Sequence, residues 1–399
     1  MRYLLLLLIP LLSSCASPSK GAVVQEPVAV SDEDRIVRDL CDKRLALLGE
    51  EGHHGNARTI AFKAALIRRL VEECHYDAFF IETGAYDFLH LQAQLKAGQP
   101  VSEAQVTAGI GGMWANQEMA PLIPFLTERL NAGTLVAGAI DDQLNRSTYA
   151  QTQMPRELIP YLDGPRQAEC GPEIERNMTW QYDEAHPFTV ETAKRILGCW
   201  KELAASPLGT PEQLQMVRNL ERSFTRKVAM MSRPPTPSGA TWTLDDDNAR
   251  ERSMFMNLEW LLSQSPRPRK AIVWLATLHA AKDLKGLGTN RQHPTTFGSY
   301  VQEKFGAQAF VLGFSALSGS YFTGMDGRAR VIPPALADSL EGLAFSGHTG
   351  DTRYLDASQL RAFGPKKARP FDYVWIEGPW ATVMDGLLIF REEAPPRPL

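Results

Sequence analysis

Residues 45–82 read LALLGEEGHHGNARTIAFKAALIRRLVEECHYDAFFIE, and their pattern decides the fold. Leu45 to Gly49 is a short apolar run closed by glycine, the mark of a buried strand. From Ala57 to Cys74 the apolar residues Ile60, Ala64, Ile67, Leu70 and Val71 recur at helical spacing. Ala78 to Ile81 is a second apolar run of strand length, and it delivers Glu82. Strand, loop, helix, strand is the order of a parallel βαβ unit. The expected class is α/β: a mostly parallel central sheet flanked by helices.

Working outward, Ser31-Asp32-Glu33-Asp34 opens a first helix that runs toward Lys43. Further strands are expected at Leu135–Ile140, Ala271–Ala276, Ala309–Phe314, Tyr373–Ile376 and Leu388–Phe390. Helices fit Glu118–Leu130, Val190–Ala205, Pro211–Met230 and Asp247–Ser263. Residues 146–239 carry almost no strand signal and read as a helical insertion between sheet strands. The α/β domain is placed at 31–392, with the proline-rich residues 393–399 read as a disordered tail.

The chain has 399 residues, 44% hydrophobic and 22% charged, which suffices for a large core and excludes collagenous, coiled-coil and disordered classes. Its formal charge is −4, without a long Lys/Arg run, so nucleic acid is not an expected partner. At the N-terminus, Arg2 precedes an apolar run from Leu4 to Leu12. That run is shorter than the ~20 residues of a membrane-spanning helix. Residues 1–14 read as a signal peptide. Leu12-Ser13-Ser14-Cys15 resembles a bacterial lipobox, in which Cys15 is acylated; ordinary cleavage after Ala16 is the alternative. Ala16 and Ser17 after the cysteine point to an outer-membrane lipoprotein facing the periplasm or exterior, with residues 15–30 as a tether. Cys41, Cys74, Cys170 and Cys199 then remain in an oxidising compartment and allow three pairings. Cys41 with Cys74 and Cys170 with Cys199 join nearest neighbours in the chain. Free Cys41 and Cys74 on buried helix faces are the other reading.

The chain lacks a G-x-S-x-G elbow, an HExxH helix, a GxxxxGK[ST] loop and a GxGxxG after a strand. Instead, four expected strands end in titratable residues. The first runs into Glu50-Glu51-Gly52-His53-His54-Gly55, the second into Glu82, the third into Asp141 and the fourth into Thr277-Leu278-His279. Ligands of an open parallel sheet bind beyond the carboxyl ends of its strands. If these four strands are neighbours, histidines and carboxylates converge on one cleft suited to acid–base chemistry. Each residue alone could equally be structural.

These residues resemble the erythromycin esterase family. Leu48 to Gly55 is similar to its "LGE-x-THG" opening, and Lys63-Ala64-Ala65-Leu66-Ile67-Arg68-Arg69-Leu70 to its following helix. Phe80-Ile81-Glu82, then Trp114 and Glu118, then Ile140-Asp141-Asp142-Gln143 continue the likeness. Arg250-Glu251-Arg252-Ser253-Met254 resembles "RDRAM", and Val273 to His279 stands where the family has "VVWAHNGH". In the family's spacing the histidine lies nine positions before the helix lysine and twenty-eight before the strand glutamate. His54 meets both without a gap to Lys63 and Glu82, which makes Glu51 the glutamate three positions earlier. An alignment through Glu50 and His53 needs an inserted residue. Gly52-His53, Arg58 and Thr277 depart from the family's pattern.

The resemblance implies a hydrolase of a small-molecule ester or lactone, with macrolides among the candidates, using neither a covalent nucleophile nor a bound metal or other cofactor. His54 would be the general base, oriented by Glu51 or Glu82. His279 would assist the oxyanion or the leaving alkoxide, and Lys63 would pair with Glu82 or add positive charge near the oxyanion. Glu50, His53, Asp141, Arg250, Arg252 and Trp114 are candidate substrate contacts or supporting residues. Two alternatives stand beside this reading. A haem-binding lipoprotein would ligate iron through His53 or His54. A divalent-metal hydrolase would use Glu51, His54, Glu82, Asp141 and His279. A monomer is expected.

Overall fold

A computed structural model describes residues 30–51, 54–145, 148–234, 242–288, 294–322 and 328–399. The proposed signal peptide, Cys15 and most of the tether, together with His53, lie outside the described residues. Seven strands form one sheet: β1 (Leu45–Leu48), β2 (Ala78–Gly84), β3 (Val136–Asp141), β4 (Ala271–Trp274), β5 (Ala309–Ala316), β6 (Thr352–Asp356) and β7 (Gly386–Phe390). Their spatial order is β3-β2-β4-β1-β5-β7-β6. Every pairing is parallel except β6 with β7.

Alternation along the inner strands explains the layering. Ala46 and Leu48, Phe79 and Ile81, and Ile272 and Trp274 face one core, together with Ile60, Ile67 and Leu70 of the helix Ala57–Cys74. Leu45 and Leu47, Ala78 and Phe80, and Ala271 and Val273 face the other, together with Met254, Leu258 and Leu261 of the helix Leu244–Ser263. Both faces are covered, so these strands read as apolar runs without polar positions. Between β3 and β4 the described residues are helical. The helices Gly164–Met178, Val190–Ala205 and Pro211–Met231 build a third core around Ile174, Trp200, Leu203 and Leu220. Disulfides join Cys41 to Cys74 and Cys170 to Cys199, each between two packed helices.

Two expectations are corrected. Tyr373–Ile376 is not a strand of the sheet: Asp372 and Tyr373 adopt left-handed backbone, with φ of 50° and 55°, which no strand accommodates. Only Ile376–Gly378 is extended, paired antiparallel with Lys366–Ala368 outside the main sheet. Residues 393–399 are not a free tail. Glu393 is buried, its carboxylate accepts from the Arg58 and Thr59 amides, and Ala57 donates to the Ala394 carbonyl at 2.8 Å. Arg397 pairs with Glu118 at 2.9 Å. Proline-rich composition conceals these tertiary partners.

Candidate active site

The strands β3, β2, β4 and β1 are consecutive neighbours, so the four titratable strand ends converge at one edge of the sheet. They line a cleft of about 480 Å³, a size that admits a small organic ligand. The cleft is organised by two histidine–carboxylate groups and a third, buried carboxyl pair.

The first group begins where β1 ends. Gly49 must be glycine, because a Cβ there would lie 2.4 Å from Thr277 Oγ1 and 3.1 Å from the Leu312 carbonyl. Its carbonyl accepts from Lys63 Nζ at 2.8 Å. Glu50 follows, fully buried. Its Oε1 receives Lys63 Nζ at 3.2 Å, Trp114 Nε1 at 3.3 Å and Trp274 Nε1, and its Oε2 meets His54 Nδ1. Burial pushes the Glu50 carboxyl upward, but Lys63 and His54 outweigh it and hold the group below its ordinary range. Glu50 is therefore ionised and only accepts, so His54 Nδ1 carries a proton and the lone pair of the neutral ring sits on Nε2. The chain bends sharply to present this ring: His54 has φ of 64°, rare for a residue with a side chain. Trp114 packs against the imidazole with ring centroids 4.5 Å apart. Gly55 then lets the chain pass the Gly319–Phe322 strand, since a Cβ there would sit 1.9 Å from the Phe322 carbonyl. Lys63 is wholly buried, 3.9 Å from the Trp274 ring centroid, and burial lowers it to about 8 despite Glu50.

The second group joins β2, β4 and the helix Leu244–Ser263. His279 Nδ1 meets Glu251, and its Nε2 lies 3.2 Å from Glu82 Oε1. Burial opposes the charged ring, yet Glu251 and Glu82 together raise it to about 10, so His279 is a cation at neutral pH. Glu82 is also buried, and His279, His54 and Arg250 carry it well below the usual carboxylate range. Its Oε2 accepts from the Ala276 amide at 2.8 Å. Arg250 donates through Nη2 to Asp141 at 2.5 Å and to Glu82 at 3.1 Å, and through Nε to Asp141 at 3.2 Å. Its Nη1 lies 3.3 Å from His279 Nε2, a nitrogen already turned to Glu82. Nη1 is thus the part of the guanidinium that the carboxylates leave uncommitted.

The third element is Glu51 with Glu393. Both Glu393 oxygens accept from amides, Oε1 from Arg58 at 2.6 Å and Oε2 from Thr59 at 3.2 Å, so it is the more readily ionised of the two even though burial raises it to about 7. Thr59 Oγ1 bridges to Glu51 Oε1 at 2.8 Å, and the Tyr373 hydroxyl donates to the same oxygen at 3.1 Å. Burial and the nearby Glu393 raise Glu51 to about 8, so Glu51 holds the proton of the pair. The Glu51 carbonyl also accepts from the Asp372 amide, fastening the His54 loop to the 371–374 turn.

The residues read from sequence are therefore mostly gathered, with different partners. Glu50, Glu51, His54, Glu82, Asp141, Arg250 and His279 line the cleft, and Lys63 and Trp114 stand behind Glu50. The carboxylate touching His54 is Glu50, where Glu51 or Glu82 was expected. Lys63 pairs with Glu50 and not with Glu82, because the helix Ala57–Cys74 carries it beneath the end of β1. Arg252 points away from the cleft, into a groove on the far side of its helix. Glu251, Trp274, Tyr373 and Glu393 were not anticipated. Glu251 stood inside the Arg250–Arg252 motif and could have been weighed as a partner for His279. Among the described residues no group of three or more His, Cys, Asp or Glu side chains stands where it could share a metal ion.

The comparisons with known proteins agree with this fold. The erythromycin esterase family model matches residues 71–370. That range includes Glu82, Asp141, Arg250, Glu251 and His279, and begins beyond the Glu50–Lys63 segment. YbfO of Bacillus subtilis, a protein carrying a hydrolase name, is 22% identical over 334 residues, spanning 75% of this chain and 71% of its own. A solved structure described as a succinoglycan biosynthesis protein superposes with a TM-score of 0.68 at 16% identity, covering 93% of this chain and 94% of that one. A Bacillus cereus protein gives 0.65 at 16% identity over 93% and 94% of the two chains. A mutant of the erythromycin esterase EreC, solved in its open conformation, gives 0.61 at 15% identity over 90% and 93%.

Proposed function

The chain belongs to the erythromycin esterase family and is a hydrolase by that membership; from this premise we propose that it cleaves a small-molecule ester or lactone by general-base activation of water. The observation that carries the reading is the Glu50–His54 pair, with Nδ1 turned to an ionised carboxylate and Nε2 to the cleft. His54 Nε2 takes a proton from water as the oxygen attacks the carbonyl carbon. Glu50 fixes the tautomer and stabilises the imidazolium that forms, an arrangement general to oriented histidine bases. Negative charge developing on the carbonyl oxygen is met by Arg250 Nη1, with the His279 cation behind it. Collapse of the tetrahedral intermediate breaks the bond to the alkoxide, which receives the proton held on His54. Water is consumed, and an acid and an alcohol leave, or a single hydroxy acid where the substrate is a lactone.

Glu50, Glu82 and Asp141 each have a cationic partner within the protein, Lys63 for the first, Arg250 and His279 for the second and Arg250 for the third, and the proposed route uses no metal or haem. Hydrolysis is expected to persist in the presence of a chelator. The test is a panel of aryl esters and macrolide lactones given to the purified chain and to His54→Ala. Loss of about 10²–10⁴ in kcat for the variant is the expected result. Equal turnover by both proteins would remove His54 from the mechanism. We also propose that Cys15 is acylated and anchors the mature chain to the outer membrane; incorporation of labelled palmitate, lost in Cys15→Ala, checks this.

A further inference from the structure

Asp141 and Asp142 are consecutive at the end of β3, yet they serve opposite sides of the wall they form. Asp141 holds Arg250 in the cleft. Asp142, fully buried, holds Arg226 through both oxygens and accepts from Ser253 Oγ at 2.6 Å. Beyond Asp142 lies a separate groove of about 360 Å³ between the helices Pro211–Met231 and Leu244–Ser263. Its lining is set by helical periodicity: Arg218, Arg222 and Arg226 fall on one stripe, and Arg252 and Ser253 on the facing one.

Four of the nine lining residues are arginines, in a chain whose formal charge is −4. Only Arg226 has a carboxylate partner. Arg222 hydrogen-bonds only neutral groups, through Nε to Ser253 Oγ at 2.9 Å, through Nη2 to Asn257 Oδ1 at 3.0 Å, and to Asn219, while the Asp142 charge that Arg226 engages acts on it from behind Ser253. Arg218 and Arg252 are exposed and form no ion pair among the described residues. The one lining carboxylate, Glu221, forms none either. Ser253, Asn219 and Asn257 take the Nε and Nη2 hydrogens of Arg222, so it presents Nη1 in a fixed position to a planar or tetrahedral oxyanion, and the unpaired guanidiniums of Arg218 and Arg252 beside it supply forked, charge-assisted hydrogen bonds. Repulsion among these cations disfavours the empty groove, so an anion gains by relieving it.

We propose that this groove is a binding site for an oxyanion of the phosphate class, with Arg218, Arg222 and Arg252 as its donors. The oxyanion is either a free anion or the remote acidic group of a substrate whose ester bond lies in the cleft. The site itself does not depend on the hydrolytic reading.

Inorganic pyrophosphate is the probe. It is titrated into the full chain by calorimetry at low ionic strength, with wild type, Arg252→Gln and Arg218→Gln/Arg252→Gln compared. Both substituted side chains are exposed, so the fold should tolerate the changes; circular dichroism checks this. Saturable binding at one site is expected, weakened at least about tenfold in the double variant, the effect of losing charge-assisted contacts. No saturable binding by wild type, or equal binding by the double variant, overturns the proposal. A second arm separates the two sources with a neutral aryl ester and its analogue bearing a remote phosphate. A KM preference for the phosphorylated ester that collapses in the double variant assigns the oxyanion to the substrate. Pyrophosphate binding without such a preference assigns the site to a free anion. Should neither ester be hydrolysed, the hydrolytic reading fails while the calorimetry still decides the groove.

Discussion

Glu50 is the residue on which the site balances. One of its oxygens neutralises a buried lysine and takes two indole N–H groups; the other orients His54. Glu50→Gln removes the charge from both tasks. The amide leaves Lys63 as an uncompensated buried cation, which costs on the order of 3–5 kcal/mol. Chemical denaturation should therefore show a large loss, and pairing it with Lys63→Met should restore part of it. Kinetically, kcat should fall with KM little changed, because the histidine loses its tautomer and its counter-charge while substrate contacts stay. A Glu50→Gln enzyme of wild-type kcat would show that the contact with His54 is structural only.

At the scale of elements, two buried carboxyls tie the His54 loop to the C-terminal segment, and they make stability depend on pH. Glu51 is raised from 4.5 to about 8, so within that window the folded chain holds a proton that the unfolded chain has released. Stability therefore falls as pH rises from about 4.5 through about 8. His279, raised from 6.5 to about 10, adds stability that is fully present below 6.5 and lost as pH climbs through about 10. Glu50 and Glu82 act in the other direction: their lowered values add stability that disappears as pH drops below 4.5. Urea midpoints at pH 5 and pH 8 test the first statement. Glu51→Gln should flatten the decline between them, and an unchanged decline would assign it elsewhere. The same elements show what sequence could and could not disclose. The helix Ala57–Cys74 was legible to the residue, because burial of one face imposes its spacing on the apolar positions. The convergence of Glu82, Asp141 and His279 followed from strand ends in a parallel sheet. The choice between Glu50 and Glu51 did not follow, because neighbours in an irregular loop point where the local backbone sends them, here past a left-handed His54. Glu393 was hidden for another reason: its partners Arg58 and Thr59 are more than three hundred positions away.

Across the whole molecule, two cores sandwich the sheet and a third fills the helical insertion, and two disulfides brace them, one at the amino ends of β1 and β2, opposite the cleft, the other within the insertion. The bridges close loops of 33 and 29 residues. Removing each should cost about 3–4 kcal/mol on a chain-entropy argument. Thermal unfolding with and without reductant, and of Cys41→Ala/Cys74→Ala, measures this; an unchanged Tm would mean that the bridges add little to the packing beneath them. The end of β3 divides the charge of the molecule between two sites, Asp141 serving the cleft and Asp142 the arginine groove. Among the described residues no helix is long and apolar enough to cross a membrane.

If His54 supplies the base that activates water, chemical rescue should reveal it. Ester hydrolysis by His54→Ala is measured against increasing imidazole in solution. A deep loss of kcat is expected, which free imidazole restores in a saturable manner, with the restored rate rising with the fraction of neutral imidazole. Wild-type turnover by His54→Ala, or a loss that imidazole leaves untouched while the fold is intact, would contradict it.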